Sequence, residues 1–174
     1  MELLPIETER LILRRFAMKD LDIFTAYRAD EELGRYQGWS TMTHEAATIF
    51  ITQQMVQPFG ELGQWLQIAI AWRETDELIG DIGVHWLDTT PMVVEMGYTL
   101  AQPWHKQGLA TEALGALIEI FFNLGNVSMV RAITDTRNVA SVALLRRLGF
   151  DLQETLDVMF RGEPCTEHTF ILKR

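Results

Sequence analysis

The sequence predicts an α+β (mixed α/β) fold. Helix-like and strand-like stretches follow the order β-α-α-β-β-β-α-β-α-β-β along its 174 residues. Three strand-like runs are consecutive in the middle and a hairpin closes the chain, so the order lacks the strict β-α-β repeat of a doubly wound sheet. Because no repeat, low-complexity tract or linker divides the chain, we expect one domain spanning residues 1–174.

The N-terminal part is predicted to contain a strand, two helices and a loop, at residues 8–16, 20–30, 43–56 and 60–64. Leu21, Phe24 and Tyr27 stand at helical spacing and give the first helix an apolar side. Thr43 is a suitable N-cap for the second helix, which should end before Pro58.

The rest of the chain is predicted to form three strands, a helix, a strand, a helix and a strand pair, at residues 65–73, 78–87, 92–100, 111–124, 129–134, 140–148, 150–159 and 165–172. In the first of these strands Leu66, Ile68 and Ile70 alternate with other residues and share one face. Gly125 is a C-cap candidate for the helix before it, and residues 161–163 form the last hairpin turn.

Composition limits the class of protein. The net charge is −9, from 24 acidic and 15 basic residues, which argues against broad nucleic-acid binding because that activity needs a basic face. The same charge is compatible with a cationic binding partner such as an amine. A hydrophobic content of 48% in a chain of this length fits a folded domain with a substantial core.

The single cysteine, Cys165, excludes an intramolecular disulfide and any site with several cysteine ligands, and we interpret it as a packing residue. His44, His85, His105 and His168 lack metal-ligand spacing, so no metal is expected. The N-terminus has no basic region followed by an apolar stretch, and no apolar run approaches the ~18 residues of a membrane span. We therefore expect a cytoplasmic protein with no signal peptide and no membrane partner.

The segment from residue 104 to residue 114 carries the clearest functional signal. A glycine-bearing turn there joins a strand to a helix, and the first N–H groups of a helix have no partner within it. These donors and the helix dipole suit a phosphate, which the small Gly108 and Ala110 would allow to approach the backbone. The alternative is that Gly108 stands in this turn only for steric reasons and has no role in binding a phosphate. An ATP-type loop is disfavoured, because the turn lacks the Gly-Lys-Ser/Thr ending.

A second segment, at residues 138–150, reads Asn-x-x-Ser-x-x-Leu-x-x-Arg-x-Gly-Phe. It follows the turn His105-x-x-Gly108-x-Ala110 by about 30 residues. In this order and spacing, the two segments resemble the GNAT superfamily of acyl-CoA-dependent N-acyltransferases. The start, Thr8 to Phe16, and the pairing of residues 95–98 with residues 110–113 resemble its ribosomal-protein N-terminal acetyltransferase-like (RimJ/RimL-type) branch.

This resemblance implies a mostly antiparallel, twisted central sheet of about seven strands flanked by about four helices, with the fourth and fifth strands splayed apart. It also implies that acetyl-CoA is the cosubstrate and that an amine attacks its thioester directly in a ternary complex. The acceptor could be a protein N-terminus, an aminoglycoside-like or polyamine molecule, or an amino-acid derivative. Since the exposed final strands of such folds often pair, a homodimer is a further expectation.

By the same resemblance, the pyrophosphate binds the turn, the pantetheine arm pairs with the end of the strand before it, and the second segment completes the site. The implied cofactor-binding residues are Tyr98, Thr99, Leu100, His105, Lys106, Gln107, Gly108, Leu109, Ala110, Thr111, Asn138 and Arg147. His105 departs from the Gln or Arg of the family pattern. Asn138 could equally be a helix N-cap, and Lys106, Arg146 and Arg147 could simply be solvated.

For catalysis, the resemblance indicates Glu95 as general base, acting directly or through a water, with Asn138 and Ser141 on one side of the second helix. A backbone N–H near residues 97–98 would bind the oxyanion. Many superfamily members have a tyrosine seven residues after the asparagine, where this chain has Leu145. Ser141 could protonate the leaving thiolate in its place.

The acceptor pocket is expected to involve Tyr36, Trp39, His85 and Glu95, with the acids at residues 30–32 nearby. Aromatic rings beside acids suit a cationic amine, although both also occur in ordinary cores and solvated helix ends. The departures at His105 and Leu145 leave an alternative function open. In that alternative the chain is a CoA-binding sensor or partner module with weak or no catalysis.

Overall fold

The structure, a computed structural model, describes residues 3–174. Its strands are β1 (Ile6–Glu7), β2 (Leu11–Arg14), β3 (Trp65–Trp72), β4 (Glu77–Leu87), β5 (Met92–Leu100), β6 (Val127–Asp135), β7 (Asp151–Phe160) and β8 (Glu163–Lys173). Its α-helices are α1 (Leu21–Arg28), α2 (Glu31–Gly34), α3 (His44–Val56), α4 (Leu109–Asn123) and α5 (Val139–Arg147). Two short 3₁₀ turns lie at Met18–Asp20 and Gln102–Trp104.

The strands form one sheet in the order β1-β2-β3-β4-β5-β6-β8-β7. Neighbouring strands are antiparallel except β5 and β6, which are parallel and are connected through α4. The predicted α+β fold with a mostly antiparallel sheet is therefore confirmed. Among residues 3–174 it has eight strands and five α-helices, slightly more than the seven and four expected. In the same range, no helix is both long and apolar enough to cross a membrane.

Two local differences from the predicted elements have simple causes. The strand predicted at residues 8–16 is confirmed only over Leu11–Arg14, because the Thr8 N–H donates to the Leu11 carbonyl and the Thr8 hydroxyl accepts from the Leu11 N–H. These bonds form a turn that separates β1 from β2. The short helix α2 was not predicted, and it begins where the Asp30 carboxylate accepts from two backbone N–H groups.

Other local signals are confirmed. Thr43 caps α3, since its hydroxyl accepts from the Ala46 N–H at 3.1 Å, and the helix ends at Val56 as predicted. Helix α4 begins two residues earlier than expected, at Leu109, and Gly125 follows its end with a φ of +80°. The helix thus starts directly after Gly108.

Helices pack on both faces of the sheet because alternate residues of its strands point in opposite directions. On the face that carries α4 and α5, called the α4 face, side chains such as Ile68, Val84 and Val94 form the main core. On the opposite face, called the α1 face, α1 and α3 cover only part of the sheet, around Ala69 and Leu78. The remainder of the α1 face, over β5, β6 and β8, is free of these helices.

A buried ion pair attaches α1 to the sheet. Arg28 on α1 donates to Asp81 on β4 at 2.6 Å, and both side chains are only 2% exposed. The Tyr27 hydroxyl also donates to Asp81, at 2.8 Å, and the Trp39 ring lies 4.5 Å from the Arg28 guanidinium. This cluster positions both α1 and the loop that contains Trp39.

We expect Asp81→Ala to lower the free energy of unfolding by about 3–5 kcal/mol, because it leaves the Arg28 charge buried without its partner. Urea unfolding followed by circular dichroism measures this. Asp22→Ala, on the exposed side of the same helix α1, is the matched control and should be nearly neutral. Equal stability of the two variants would contradict the assigned role of the pair.

Candidate functional site

The strands β5 and β6 separate in the middle of the sheet. Their parallel pairing ends at Glu95 and Arg131, although β5 continues to Leu100 and β6 to Asp135. Beyond this point β8 is the one strand that pairs with β6 among residues 3–174. The predicted splay is therefore confirmed, and the opening between the diverging strands is called the fork.

Backbone carbonyl and N–H groups of β5 point into the fork. The Tyr98 carbonyl accepts from the Gln37 amide at 3.2 Å, and the Leu100 carbonyl accepts from His105 Nε2 at 2.7 Å. Because the N–H and C=O of a strand residue point to the same side, the N–H groups of Tyr98 and Leu100 also face the fork. His105, predicted to contact phosphate, instead directs its ring at the backbone.

A groove of about 890 Å³ runs along the fork on the α4 face. It is lined by most residues that were predicted to bind the cofactor, namely Tyr98, Thr99, Leu100, His105, Lys106, Gly108, Leu109, Ala110, Thr111, Asn138 and Arg147. Gln107 is the exception, since its side chain donates to the Pro103 carbonyl. Arg146 is exposed and lies outside the groove lining, unlike Arg147.

At one end of the groove, a strained loop leads into α4. Lys106 and Gly108 both have left-handed backbone conformations, with φ of +61° and +78°. Gly108 is the N-cap of α4, and no side chain in the part of the chain that the structure describes caps the helix. The N–H groups of its first turn thus remain available to an anion in the groove.

A brace formed by residues distant in sequence holds this loop. One oxygen of Glu112 accepts from the Thr8 hydroxyl at 2.6 Å and the Arg10 N–H at 2.8 Å, and the other accepts from the Arg10 guanidinium at 2.7 Å. Arg10 also donates to the Gln107 carbonyl at 3.0 Å. Burial alone would raise the pKa of Glu112, but the bonds from Thr8 and Arg10 outweigh it and hold that pKa below its ordinary value.

A pair of hydroxyl groups lies on the α4 side of the fork. Tyr98 extends from β5 to Ser141 on α5, and their hydroxyl oxygens are 2.8 Å apart. Burial raises the pKa of Tyr98 to about 12, although the bond to Ser141 acts in the opposite direction. Both groups therefore keep their protons at neutral pH.

Asn138 performs the capping role that the sequence left open, since its side-chain oxygen accepts from the Ser141 N–H at 3.2 Å. It also lines the groove, so capping and a contact with a ligand are compatible. Leu145, where many relatives have tyrosine, is fully buried in the core.

A second opening, called the polar cavity, has a volume of about 880 Å³ and meets the groove at Glu32, Tyr36 and Arg137. Its remaining lining comes from α2 and the β7–β8 hairpin, through Glu31, Arg35, Phe160, Arg161, Glu163 and Cys165. The hairpin is attached to the loop after α2, because Arg161 donates to the carbonyls of Gln37 and Trp39.

The predicted acceptor residues are only partly brought together. Tyr36 lines both openings, and Arg137 lies over its ring at 5.7 Å. Trp39 packs on Arg28 instead, and His85 stacks on Trp65 with 4.9 Å between ring centroids. Neither Trp39 nor His85 is part of the lining of the two openings.

The structure decides which face Glu95 occupies. Val94 and Met96 are buried on the α4 face, so Glu95 points to the α1 face. There, one carboxylate oxygen of Glu95 accepts from Arg131 Nε at 2.8 Å and also from its Nη2. Glu95, the predicted general base, thus lies where β5 and β6 begin to separate, but its carboxylate is already paired with Arg131.

Sequence reasoning missed two features of the α1 face. Cys165 is half-buried and lines the polar cavity, so its interpretation as a packing residue was incomplete. Burial and the carboxylates of Asp135 and Glu167 raise the pKa of Cys165, which keeps the thiol protonated. Glu167 lies two residues further along β8 and directly opposite Asp135.

Among residues 3–174, no group of three or more acidic, His or Cys side chains is arranged to hold a metal.

Comparison with known proteins agrees with this geometry. A family model described as an acetyltransferase (GNAT) domain matches residues 10–151. The chain is 31% identical to an uncharacterized N-acetyltransferase, p20, of Bacillus licheniformis over 152 residues, which cover 86% of this chain and 83% of the relative.

Two solved structures have the same fold. The GNAT-family acetyltransferase from Bacillus anthracis superimposes with a TM-score of 0.85 at 19% identity, covering 98% of both chains. The Salmonella typhimurium enzyme that modifies the N-terminal serine of a 50S ribosomal subunit protein superimposes with a TM-score of 0.81 at 16% identity, covering 96% of both. The prediction of an acetyl-CoA-dependent N-acetyltransferase is confirmed by the family match, and the chain belongs to the GNAT acetyltransferase family.

Proposed function

We propose that this chain, as one domain spanning residues 1–174, transfers the acetyl group of acetyl-CoA directly to a primary amine. The observation that carries the proposal is the fork, where the groove on the α4 face meets the polar cavity beside α2 and the β7–β8 hairpin. A thioester in the groove and an amine from the cavity can meet there. A ternary complex then needs no covalent enzyme intermediate.

The phosphates of acetyl-CoA would bind where α4 begins. The uncapped N–H groups after Gly108 supply donors, and Lys106 and Arg147 line the groove with positive charge. The brace from Arg10 to Glu112 keeps the loop in the strained conformation that exposes these donors.

The pantetheine arm would extend β5 by strand addition. The N–H groups of Tyr98 and Leu100 face the fork, whereas their carbonyls already accept from Gln37 and His105. The arm therefore uses its carbonyls against backbone donors of β5. At the thioester, the Tyr98 N–H is the oxyanion donor that points into the fork.

The departing thiolate would take its proton from the hydroxyl pair of Ser141 and Tyr98. This pair supplies a donor in a chain that has Leu145 where many relatives have tyrosine. It also favours catalysis over the alternative of a CoA-binding module without activity, since that function requires no proton donor beside the thioester.

The acceptor amine would enter through the polar cavity. Glu32 and Tyr36 line the cavity, where Arg35 pairs with the Glu32 carboxylate and Arg137 lies over the Tyr36 ring, and a cationic acceptor would take the place of these arginines. Glu95 faces the same side of the sheet, where it accepts from Arg131, and is proposed to contact the amine, directly or through water. The branch resemblance favours a protein N-terminal amine among the acceptors, and polyamines and amino-acid derivatives remain to be compared with it.

We expect Gly108→Trp to abolish acetyl-CoA binding, because a side chain at this left-handed position would contact the Arg10 guanidinium that braces the loop and would distort the loop that lines the groove. Isothermal titration calorimetry measures the loss. Gly125→Trp is the matched control, with a φ of +80° and open space around it. Absence of binding by folded wild type would contradict the proposed cofactor, and equal binding by both variants would contradict the proposed groove.

We expect Glu112→Gln to weaken acetyl-CoA binding by about tenfold or more with little change in kcat, because the loop is then less well positioned. The measurement is the KM for acetyl-CoA compared with kcat. Glu119→Gln, exposed on the same helix, is the control and should have wild-type KM.

The pH dependence of stability provides a second readout for Glu112. Its pKa is lowered in the folded state, so its charged form stabilises the fold above the ordinary value of 4.5. The difference in unfolding free energy between wild type and Glu112→Gln should therefore shrink as pH falls through the lowered pKa. A constant difference across that range would contradict the brace.

We expect Ser141→Ala and Tyr98→Phe each to lower kcat, up to about 10²-fold, the lower end of general acid catalysis. Steady-state release of free CoA measures this effect. The loss should disappear with a thioester of a more acidic thiol, whose thiolate leaves without a proton. A loss that is the same for both thioesters would point to positioning instead.

A further inference from the structure

We infer that Glu167 is the carboxylate that holds the acceptor ammonium and takes its proton, a role that rests on the proposed function. Glu167 lies on β8 opposite Asp135, in the part of the sheet that β5 has already left. Cys165, two residues earlier on the same face of the strand, lines the polar cavity. Glu167 itself lines neither opening, but it lies between Cys165 and the point where β5 and β6 separate, so a substrate that moves from the cavity toward that point would pass it.

Glu167 is the uncommitted carboxylate of this face that lies beside the fork. Glu163, at the tip of the β7–β8 hairpin, and Glu154, opposite Thr169 on β7, share the face but are exposed and lie farther from the fork. Glu95 accepts two bonds from Arg131, and both oxygens of Asp135 accept from Arg137, at 2.9 and 2.6 Å. Among residues 3–174, no side chain donates to the Glu167 carboxylate or forms an ion pair with it. A cationic amine can supply the missing charge.

The surroundings of Glu167 also favour proton transfer. Burial raises its pKa, and the neighbouring carboxylates of Asp135 and Glu95 raise it further, so it is a stronger base than an ordinary glutamate. On the other elements that pack against it, Leu156 on β7 is apolar. The charged or titratable groups around it on this face are Glu95, Arg131, Asp135, Arg137, Glu154, Glu163 and Cys165.

The proposed step is balanced without a further reactant. The ammonium gives one proton to the Glu167 carboxylate, and its nitrogen lone pair forms the new bond to the thioester carbon. The C–S bond then breaks, and the thiolate leaves with a proton from the Ser141–Tyr98 pair. The nitrogen releases its second proton to solvent as the amide forms. Solvent also takes up the proton held by Glu167 and returns one proton to the hydroxyl pair, so each turnover releases one net proton.

The test compares Glu167→Gln with Glu95→Gln and with Glu119→Gln, which removes an exposed acid on α4. The probes are a peptide with a free N-terminal serine, spermidine and glycinamide, assayed for CoA release across pH. We expect Glu167→Gln to lower kcat/KM by about 10²–10⁴-fold and to abolish the acidic limb of its pH profile. Glu95→Gln should retain that limb, and the Kd for acetyl-CoA should not change in any variant.

If wild type binds acetyl-CoA but acetylates none of the probes, the proposed function fails and this inference with it. If wild type is active and Glu167→Gln keeps its rate and acidic limb, the inference alone fails.

A titration that needs no acceptor provides an independent measurement. Carboxyl ¹³C NMR, assigned by the signal missing in Glu167→Gln, should show Glu167 titrating above its ordinary value of 4.5. Asp135→Asn should lower that pKa, because it removes a neighbouring negative charge and frees Arg137. A Glu167 that titrates at or below the ordinary value would overturn the inference.

Discussion

The separation of β5 from β6 after Glu95 and Arg131 is the constraint on which the rest of the site depends. A strand that leaves its neighbour exposes a row of backbone N–H and C=O groups, and such groups must find partners. In this chain Gln37 and His105 satisfy the carbonyls of Tyr98 and Leu100, while the N–H groups remain open to the fork. The ion pair of Glu95 with Arg131 joins the two strands at the last residues that still pair.

The proposed role of the fork in binding acetyl-CoA also requires that the loop before α4 is held in a strained backbone conformation. A left-handed Lys106 is strained, and such strain persists where the surrounding structure over-determines it. Here the restraint comes from Arg10, which bonds to Glu112 within α4 and to the carbonyl of Gln107 in the loop. The first hairpin of the chain therefore supports a loop almost 100 residues away in sequence.

The sequence was sufficient wherever a feature depends on neighbouring residues. Thr43 and Asn138 cap their helices by accepting from N–H groups only three residues away, and the period of apolar residues located α1 and β3. Helix α2 was missed because four residues are too few for a periodic pattern.

What could not be predicted depends on contacts across the sheet. Glu112 and Arg10 are 102 residues apart, and Glu95 meets Arg131 across 36 residues. Glu112 lies within the segment from residue 104 to residue 114, but an acidic residue in the first turn of a helix is already explained by its favourable interaction with the helix dipole. Its position therefore did not indicate a contact with Arg10. Glu167 gives no local signal, since its lack of a partner follows only from the register of β6 with β8 and from the pairing of Asp135 with Arg137.

The two faces of the sheet also separate the two kinds of proton chemistry that acetyl transfer to an amine requires. Tyr98 and Ser141, which hold protons at neutral pH, lie on the α4 face, whereas Glu95 and Glu167 lie on the α1 face. On a single face, a hydroxyl and a free carboxylate would hydrogen-bond to each other. The hydroxyl would then be less available as a proton donor and the carboxylate less available as a proton acceptor. The sheet keeps them apart everywhere except at the fork. In the proposed reaction, a tetrahedral carbon in that opening would have its nitrogen toward the carboxylates and its sulfur toward the hydroxyls, so one break in the strand pairing would serve both proton transfers.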